Sequence, residues 1–328
     1  MKIKLKISRC DPMGRAGCEP FLQAYDIEAR DGMTILDALH LVKNEQDGTL
    51  AFRRSCRSAI CGSCAVNING FPKLACKTQL IHEYKKSAAI VIEPLSNHRV
   101  VKDLVADFNP FWEKINKIEP WLNGEAAISG QPSVVSKQAA LKINNSSKCI
   151  MCGCCNAACN TLEIDRHFIA PAALAKAWRF AGDAREKQKK KRLEKISEAH
   201  GMWDCVRCVL CTEYCPKEVA PLQAIERLRA EAINQGVVDN HGAKHVESMV
   251  GSIKRVGRLD EAAMTFKTLG FLRSLGMIPF GLKMEIHGKM PVPLIFPQIE
   301  NIEEVKKIYE EIEKKRIKET PNSQQADS

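Results

Sequence analysis

CIMCGCCNAAC, running from Cys149 to Cys159, and CVRCVLCTEYCP, from Cys205 to Pro216, both read C-x2-C-x2-C-x3-C. At this spacing three thiolates curl around one corner of an iron-sulfur cubane while the backbone N–H groups between them turn toward the inorganic sulfides. The fourth thiolate must come from elsewhere. In chains that carry two such runs, the last cysteine of each run ligates the other cluster. This predicts one 4Fe-4S cluster on Cys149, Cys152, Cys155 and Cys215, and a second on Cys159, Cys205, Cys208 and Cys211. Upstream, Cys56, Cys61 and Cys64, followed by Cys76, form a third group, C-x4-C-x2-C…C, the spacing that holds a 2Fe-2S cluster. These groups take twelve of the fifteen cysteines. Zinc sites favour paired C-x2-C units with longer gaps, and dense disulfide frameworks belong to short secreted chains.

Composition agrees with an electron conduit built on substantial cores. The chain has 328 residues, 45% of them hydrophobic, enough for two or three domains. The opening MKIKLKISRC alternates like a strand and lacks the continuous apolar stretch of an export signal. No segment approaches the roughly 18 uninterrupted apolar residues of a spanning helix. The nearest, Leu269 to Met284, is broken by Arg273, Gly276, Pro279 and Lys283. The net charge of +10 includes a basic run, Arg185 to Lys195. With no aromatic residues between its charges to stack on bases, this run reads as a solvated helix face or a partner contact, and nucleic acid is not an expected partner.

The predicted fold class is α+β: an N-terminal β-grasp 2Fe-2S ferredoxin domain, then an α-helical domain like a bacterial ferredoxin, then a C-terminal extension. Residues 1–105 are expected to hold strands at Lys2–Ser8, Leu22–Glu28, Ala65–Asn69, Leu74–Cys76 and Ala89–Glu93, with an Asn69-Gly70 hairpin turn. A helix capped by Thr34 carries Leu36, Leu39 and Val42. Residues 106–235 are expected to be mainly helical, with helical periodicity from Asp103 and a looser stretch at Asn123 to Ser136. In residues 236–328, the segment Gly276–Gln298 is expected to be mostly irregular, Glu303–Glu319 a charged helix, and the tail after it disordered. For the apolar stretch Phe266 to Phe280 two readings stand, packing on the protein's own helices or a partner, and contact with a membrane surface.

RRSCRSAICGSC (Arg53 to Cys64), INGFPKLACKT (Ile68 to Thr78), FIAPAALAKAWRFAGDAR (Phe168 to Arg185) and GMWDCVRCVLCTEYCPKEVAP (Gly201 to Pro221) together resemble the iron-sulfur subunit of succinate dehydrogenases and fumarate reductases, over roughly residues 1 to 230. The resemblance implies an electron-transfer subunit of an oxidoreductase complex that holds no substrate itself. It implies two partners, a flavoprotein carrying FAD and a quinone-reactive, membrane-associated subunit. The implied path runs from FAD to the 2Fe-2S cluster, the Cys149 cubane, the Cys159 centre and then quinone. Attachment to the bacterial inner membrane would be peripheral and through partners.

Three departures from the family pattern carry weight. Family members usually lack the second cysteine of the third run and hold a 3Fe-4S cluster there. Here Cys208 supplies a fourth thiolate, so a second 4Fe-4S cluster is expected, with 3Fe-4S the alternative without Cys208. Asn160 stands where many members have proline, and TLEIDR lacks the tryptophan that lines the family's quinone pocket. The extension contains GRLDEA, reminiscent of heterodisulfide reductase subunits. Together these resemble the methylmenaquinol:fumarate reductase branch, whose anchor is cysteine-rich and peripheral. That branch can face the periplasm, when it is co-exported with a twin-arginine flavoprotein; otherwise the face is cytoplasmic. An alternative is a subunit of a heterodisulfide-reductase-like or glycerol-3-phosphate dehydrogenase complex.

Of the remaining cysteines, Cys154 is read as a small packed residue, and Cys10 and Cys18 as structural, with no disulfide expected between them. Arg53, Arg54 and Arg57 bring positive charge to the first group, either to raise its potential or to meet acids on a partner. Gly62 is read as letting the loop backbone approach the sulfides. His40, His82, His98, His167 and His200 show no ligand spacing to one another, and a His2Cys2 centre is excluded because the first group already has four cysteines.

Overall fold

Alternation in KIKLKIS decides the first layer. The computed structural model describes residues 1–11, 19–87, 89–123, 135–289 and 298–319, with side chains in the last helix to residue 314. It divides into two compact units, Met1–Gly236 and Val237–Ser328. In the first, β1 (Lys2–Arg9) places Ile3, Leu5 and Ile7 at no more than 1% exposure on one face, as a period of two requires. It pairs antiparallel with β2 (Phe21–Glu28) and parallel with β5 (Ile90–Glu93), giving the sheet order β2-β1-β5-β3-β4 with β3 (Ala65–Ile68) and β4 (Phe71–Leu74). Helix α1 (Ile35–Leu41) starts in a capping box: the Asp37 amide donates to Thr34 Oγ1 at 3.2 Å, and the Thr34 amide to Asp37 Oδ2 at 3.0 Å, satisfying donors that a helix start leaves free. Its Ile35, Leu36 and Leu39 close over Ile68, Ile90 and Ile92, each such side chain contributing about 1.5–3 kcal/mol by burial. This is the expected α+β, β-grasp arrangement.

Strand β4 starts at Phe71, three residues before the expected Leu74–Cys76 strand. Asn69 and Gly70 both adopt positive φ, 52° and 82°, so a two-residue turn returns the chain at once and Ile68 pairs with Phe71. Cys76 is thereby left beyond the strand, free to face Cys64. The helical periodicity expected from Asp103 is also corrected. Residues 100–106 form a small hairpin of β6 (Val100–Lys102) and β7 (Val105–Ala106), and helix α3 begins only at Asn109.

The reason is Asp103. Its Oδ1 accepts from Arg9 Nε and the Cys10 amide, both at 3.0 Å, and its Oδ2 from the Ala51 amide at 2.8 Å. Asp103 and Arg9 are 1% and 7% exposed. Arg9 also donates to Asp47, Gln23, Tyr25 and Thr49. Burial works against its charge, but Asp47, Asp103 and Tyr25 outweigh that and hold it protonated well above the usual range. The network fixes Ala51, where the chain enters the loop of the first cysteine group. Removing one partner of a buried pair strands the other. Asp103→Ala is therefore expected to destabilise the first unit by about 3 kcal/mol, measured as a lowered denaturation midpoint followed through the visible absorbance of the N-terminal domain.

Helix α2 (Leu80–Lys86) precedes β5, and after β7 the described residues of the first unit hold eight more helices, α3 (Asn109–Lys117), α4 (Lys137–Ser147), α5 (Cys154–Ala157), α6 (Asn160–Ile164), α7 (Pro171–Ala181), α8 (Lys189–Ile196), α9 (Leu210–Glu213) and α10 (Pro221–Asn234). The alanines of α7 let it sit at the centre against α3, α4, α5 and α10. The basic run is not simply a solvated face. Arg192, 3% exposed, donates to the carbonyls of Ile118, Glu119 and Trp121 and to Glu186, so it pins a loop, while Lys190 and Lys191 stay exposed.

The second unit holds α11 (His241–Val256), α12 (Glu261–Leu269), α13 (Phe271–Leu275), α14 (Ile278–Ile286) and α15 (Ile302–Glu319). Within the segment expected to be irregular, residues 278–286 are helical because Pro279 falls in the first turn of α14, where its missing N–H costs nothing. Residues 290–297, 124–134 and the tail from 320 lie outside the described residues. Among the described residues no helix is long and apolar enough to cross a membrane.

Candidate metal centres

Between α1 and β3 the chain coils around a sulfur. The amides of Ser58, Ile60 and Cys61 all point at Cys56 Sγ from 3.3 Å, and the Ala59 amide points at Cys76 Sγ, also from 3.3 Å. Positive φ at Arg57 (57°), Ala59 (56°) and Gly62 (75°) turns these successive amides inward, making a concavity suited to negative charge. The hairpin brings in the remaining thiols: the Ala75 amide donates to the Cys64 carbonyl at 3.0 Å, setting Cys76 beside Cys64. Hydrogen bonds from Ser63 draw the Cys61 thiol down to about 6, whereas burial pushes Cys64 up to about 12. Four sulfurs ringed by inward amides fit an anionic cluster, since each amide stabilises the thiolate form.

Cys149, Cys152, Cys155 and Cys215 line one cavity, walled by Ala172 and Ala175 of α7. Burial is the main reason the thiols of Cys149 and Cys155 sit above their ordinary range, with the neighbouring thiols adding to it. The Val219 amide donates to Cys215 Sγ at 3.4 Å. The third set also assembles: Cys159 stands near Cys205 and Cys208, and Cys211 near Cys205, Cys159 and Cys208. Burial pushes Cys211 up to about 12. Cys159 caps α6, the Leu162 amide reaching its sulfur at 3.5 Å. All twelve cysteines singled out by spacing therefore fall into three gatherings, with the last cysteine of each run exchanged.

The three gatherings adjoin. A Cβ on Gly62 would lie 2.7 Å from Cys152 Cβ, and Cys155 neighbours Cys211. Gly62 thus has a reason beyond approach to sulfide: the first loop touches the second run where no side chain fits, in a backbone conformation that favours glycine. Phe71 of β4 stacks on Tyr214 of α9 at 5.3 Å, and Asn97 Nδ2 donates to the carbonyls of Asn156 (2.9 Å) and Cys159 (3.0 Å).

Arg229, 7% exposed on α10, was not legible in the sequence. Its guanidinium donates to the carbonyls of Met202 (2.6 Å), Trp203 (2.9 Å) and Cys205 (2.8 Å) and lies 5.4 Å from the Trp203 ring centre. It sets the start of the third run from twenty-four residues away, a separation no local spacing reveals. Arg53, Arg54 and Arg57 are exposed, and no carboxylate pairs with them within 4.0 Å among the described residues. Cys154 is fully buried beside Cys152. Cys10, read as structural with no disulfide expected, is disulfide-bonded; Cys18 lies outside the described residues. Histidine spacing also missed one gathering: Asp165, His200 and Asp204 place ligand-type atoms within 4.8 Å of one another, with His200 Nδ1 at 2.7 Å from Asp165.

Gly62→Ala forces either the loop or Cys152 to move. The expected outcome is loss of iron and acid-labile sulfide from both the first and second gatherings, read as weakened signals of two clusters in electron paramagnetic resonance of the reduced protein. An alanine variant with full iron and unchanged spectra would contradict the tight approach.

Two family profiles match the chain: a 2Fe-2S iron-sulfur cluster binding domain over residues 4–113, and a 4Fe-4S dicluster domain over residues 145–219. Among similar proteins is the 8-methylmenaquinol:fumarate reductase iron-sulfur subunit of Wolinella succinogenes, 38% identical over 255 residues, which cover 76% of this chain and 79% of that one. The fumarate reductase iron-sulfur subunit of Haemophilus influenzae is 37% identical over 235 residues, 68% of this chain and 87% of that one. In fold, the chain is similar to one in the Mycobacterium smegmatis Sdh1 complex in the apo form, with a TM-score of 0.65 at 24% identity over 72% of this chain and 97% of that one.

Proposed function

Because the chain belongs to the family of iron-sulfur subunits of fumarate reductases and succinate dehydrogenases, we propose that it relays electrons between the FAD of a flavoprotein partner and a quinone-reactive, membrane-associated partner. The observation that carries this reading is the contiguity of three cysteine gatherings, Gly62 against Cys152 and Cys155 beside Cys211. When bound, each cluster supplies a one-electron couple whose potential depends on its type, charge and hydrogen bonds. The work of this chain's residues is to hold and tune. Cys56, Cys61, Cys64 and Cys76 hold the 2Fe-2S cluster, with the amides of Ser58, Ala59 and Ile60 stabilising charge on sulfur. Cys149, Cys152, Cys155 and Cys215 hold the first 4Fe-4S cluster. Cys159, Cys205, Cys208 and Cys211 hold the second, and Arg229 fixes the backbone from which Cys205 projects.

The domains proposed are residues 1–105 for the 2Fe-2S cluster, 106–235 for the two cubanes and 236–328 for the extension. The N-terminal 2Fe-2S match over residues 4–113 favours this complex over a heterodisulfide-reductase-like or glycerol-3-phosphate dehydrogenase assembly, which share only the paired runs. The name of the Wolinella relative favours methylmenaquinol as the quinol, and Asn160, TLEIDR and the extension favour a cysteine-rich, peripheral anchor.

The anaerobically purified chain is expected to contain about ten iron and as many acid-labile sulfides. Cys208→Ser is expected to lower iron by about one per chain and to give a three-iron signal in electron paramagnetic resonance of the oxidised protein. An unchanged spectrum and iron content would remove Cys208 from the ligands, and zinc without sulfide in the parent would remove the relay.

A further inference from the structure

Two short helices of the C-terminal unit, α13 and α14, turn their large apolar side chains outward. In α13 the buried side chain is Ser274, at 2% exposure, whereas Phe271 and Leu272 are 68% and 83% exposed. The serine hydroxyl is satisfied within its own turn, donating to the Gly270 carbonyl at 2.8 Å. Helix α14, apolar except for Lys283 and Glu285, buries none of its residues; Phe280, Leu282 and Ile286 all face outward. Helix α11 buries Ser248 and Ser252 along with Ala243 and Val256, and the Ser252 hydroxyl accepts from the Asp260 amide at 2.7 Å while donating to the Arg258 carbonyl at 2.9 Å. Small polar groups inside with self-satisfied hydrogen bonds, and large apolar groups outside, are the pattern of helices surrounded by hydrocarbon. A surface facing only water shows the reverse.

Charge selects the medium. From Phe266 to Lys289 the ionised side chains are Lys267, Arg273, Lys283 and Lys289 against Glu285, and the four cations are exposed while the glutamate is half-buried. Long basic side chains can lay their stems along apolar surface and lift their charges into a headgroup layer, and each adds about fivefold to binding at an anionic surface. α13 and α14 are far too short to cross a bilayer, so the segment can only lie in its surface. We propose that residues 266–289 insert in-plane into an anionic phospholipid surface, giving this subunit a membrane contact of its own rather than attachment through partners alone.

The test uses the intact chain with its clusters, sedimented with vesicles of phosphatidylcholine alone or mixed with phosphatidylglycerol. Expected are sedimentation with the anionic vesicles, weakening as salt is raised, and little with phosphatidylcholine. The paired substitution Leu272→Glu and Ile286→Glu should lower the vesicle-bound fraction at least about tenfold, and Arg273→Gln with Lys283→Gln should remove the preference for anionic lipid, both with cluster absorbance unchanged. Absence of sedimentation, equal sedimentation with both vesicles, or undiminished binding by the glutamate variant overturns the proposal. So does a parent chain that ignores vesicles while the glutamate variant fails to copurify with a partner subunit, since the surface then belongs to a protein. Cluster content and spectra are read separately, so none of these outcomes bears on the electron relay.

Discussion

Everything in the first unit answers to one constraint, the exchange of last cysteines between the two C-x2-C-x2-C-x3-C runs. Cys215 must reach the cavity shared by Cys149, Cys152 and Cys155, and Cys159 must reach the set at Cys205, Cys208 and Cys211. Two segments some fifty residues apart are thereby crossed, and the helices between them have no freedom to be elsewhere. The alanines of α7 follow from this: a bulky side chain at Ala172 or Ala175 would enter the cavity they wall. So does the close seat of the N-terminal loop, because Cys152, Cys154 and Ala157 belong to the same buried cluster as Leu5, Ile68 and Ile92.

Electrostatics makes the metal part of the fold. Burial pushes both Cys64 and Cys211 up to about 12, so at neutral pH the metal-free chain keeps these groups as thiols. Iron must displace their protons to bind, and the energy it returns is folding energy for the loops that surround it. Raising pH toward the thiol range eases that displacement, whereas lowering it opposes assembly. Inward amides at Cys56 and Cys76 share the stabilisation of negative sulfur, and Arg229 and Asp103 hold the backbone where the ligands begin.

Features written as short-range patterns were legible in the sequence: cysteine spacing, the alternation of Ile3, Leu5 and Ile7, the Thr34 cap, and the Asn69-Gly70 turn. Features made by contacts between distant residues were not. Asp103 turns a helical-looking stretch into a hairpin because Arg9, the Cys10 amide and the Ala51 amide converge on it. Arg192, read as one more charge in a basic run, is consumed by three carbonyls and Glu186. Gly62 reads as clearance for the sulfides, but its close neighbour Cys152 lies ninety residues on. Residues 276–286 read as irregular because Gly and Pro signal breaks, yet Pro279 sits where a helix tolerates it.

The central claim is that three clusters lie side by side within this one chain. A stepwise reductive titration of the anaerobic protein, followed by electron paramagnetic resonance, tests it most directly. The account predicts that the 2Fe-2S signal broadens and relaxes faster as the neighbouring cubane becomes paramagnetic, through spin coupling at short range. A 2Fe-2S signal whose shape and relaxation stay constant throughout the titration would contradict it.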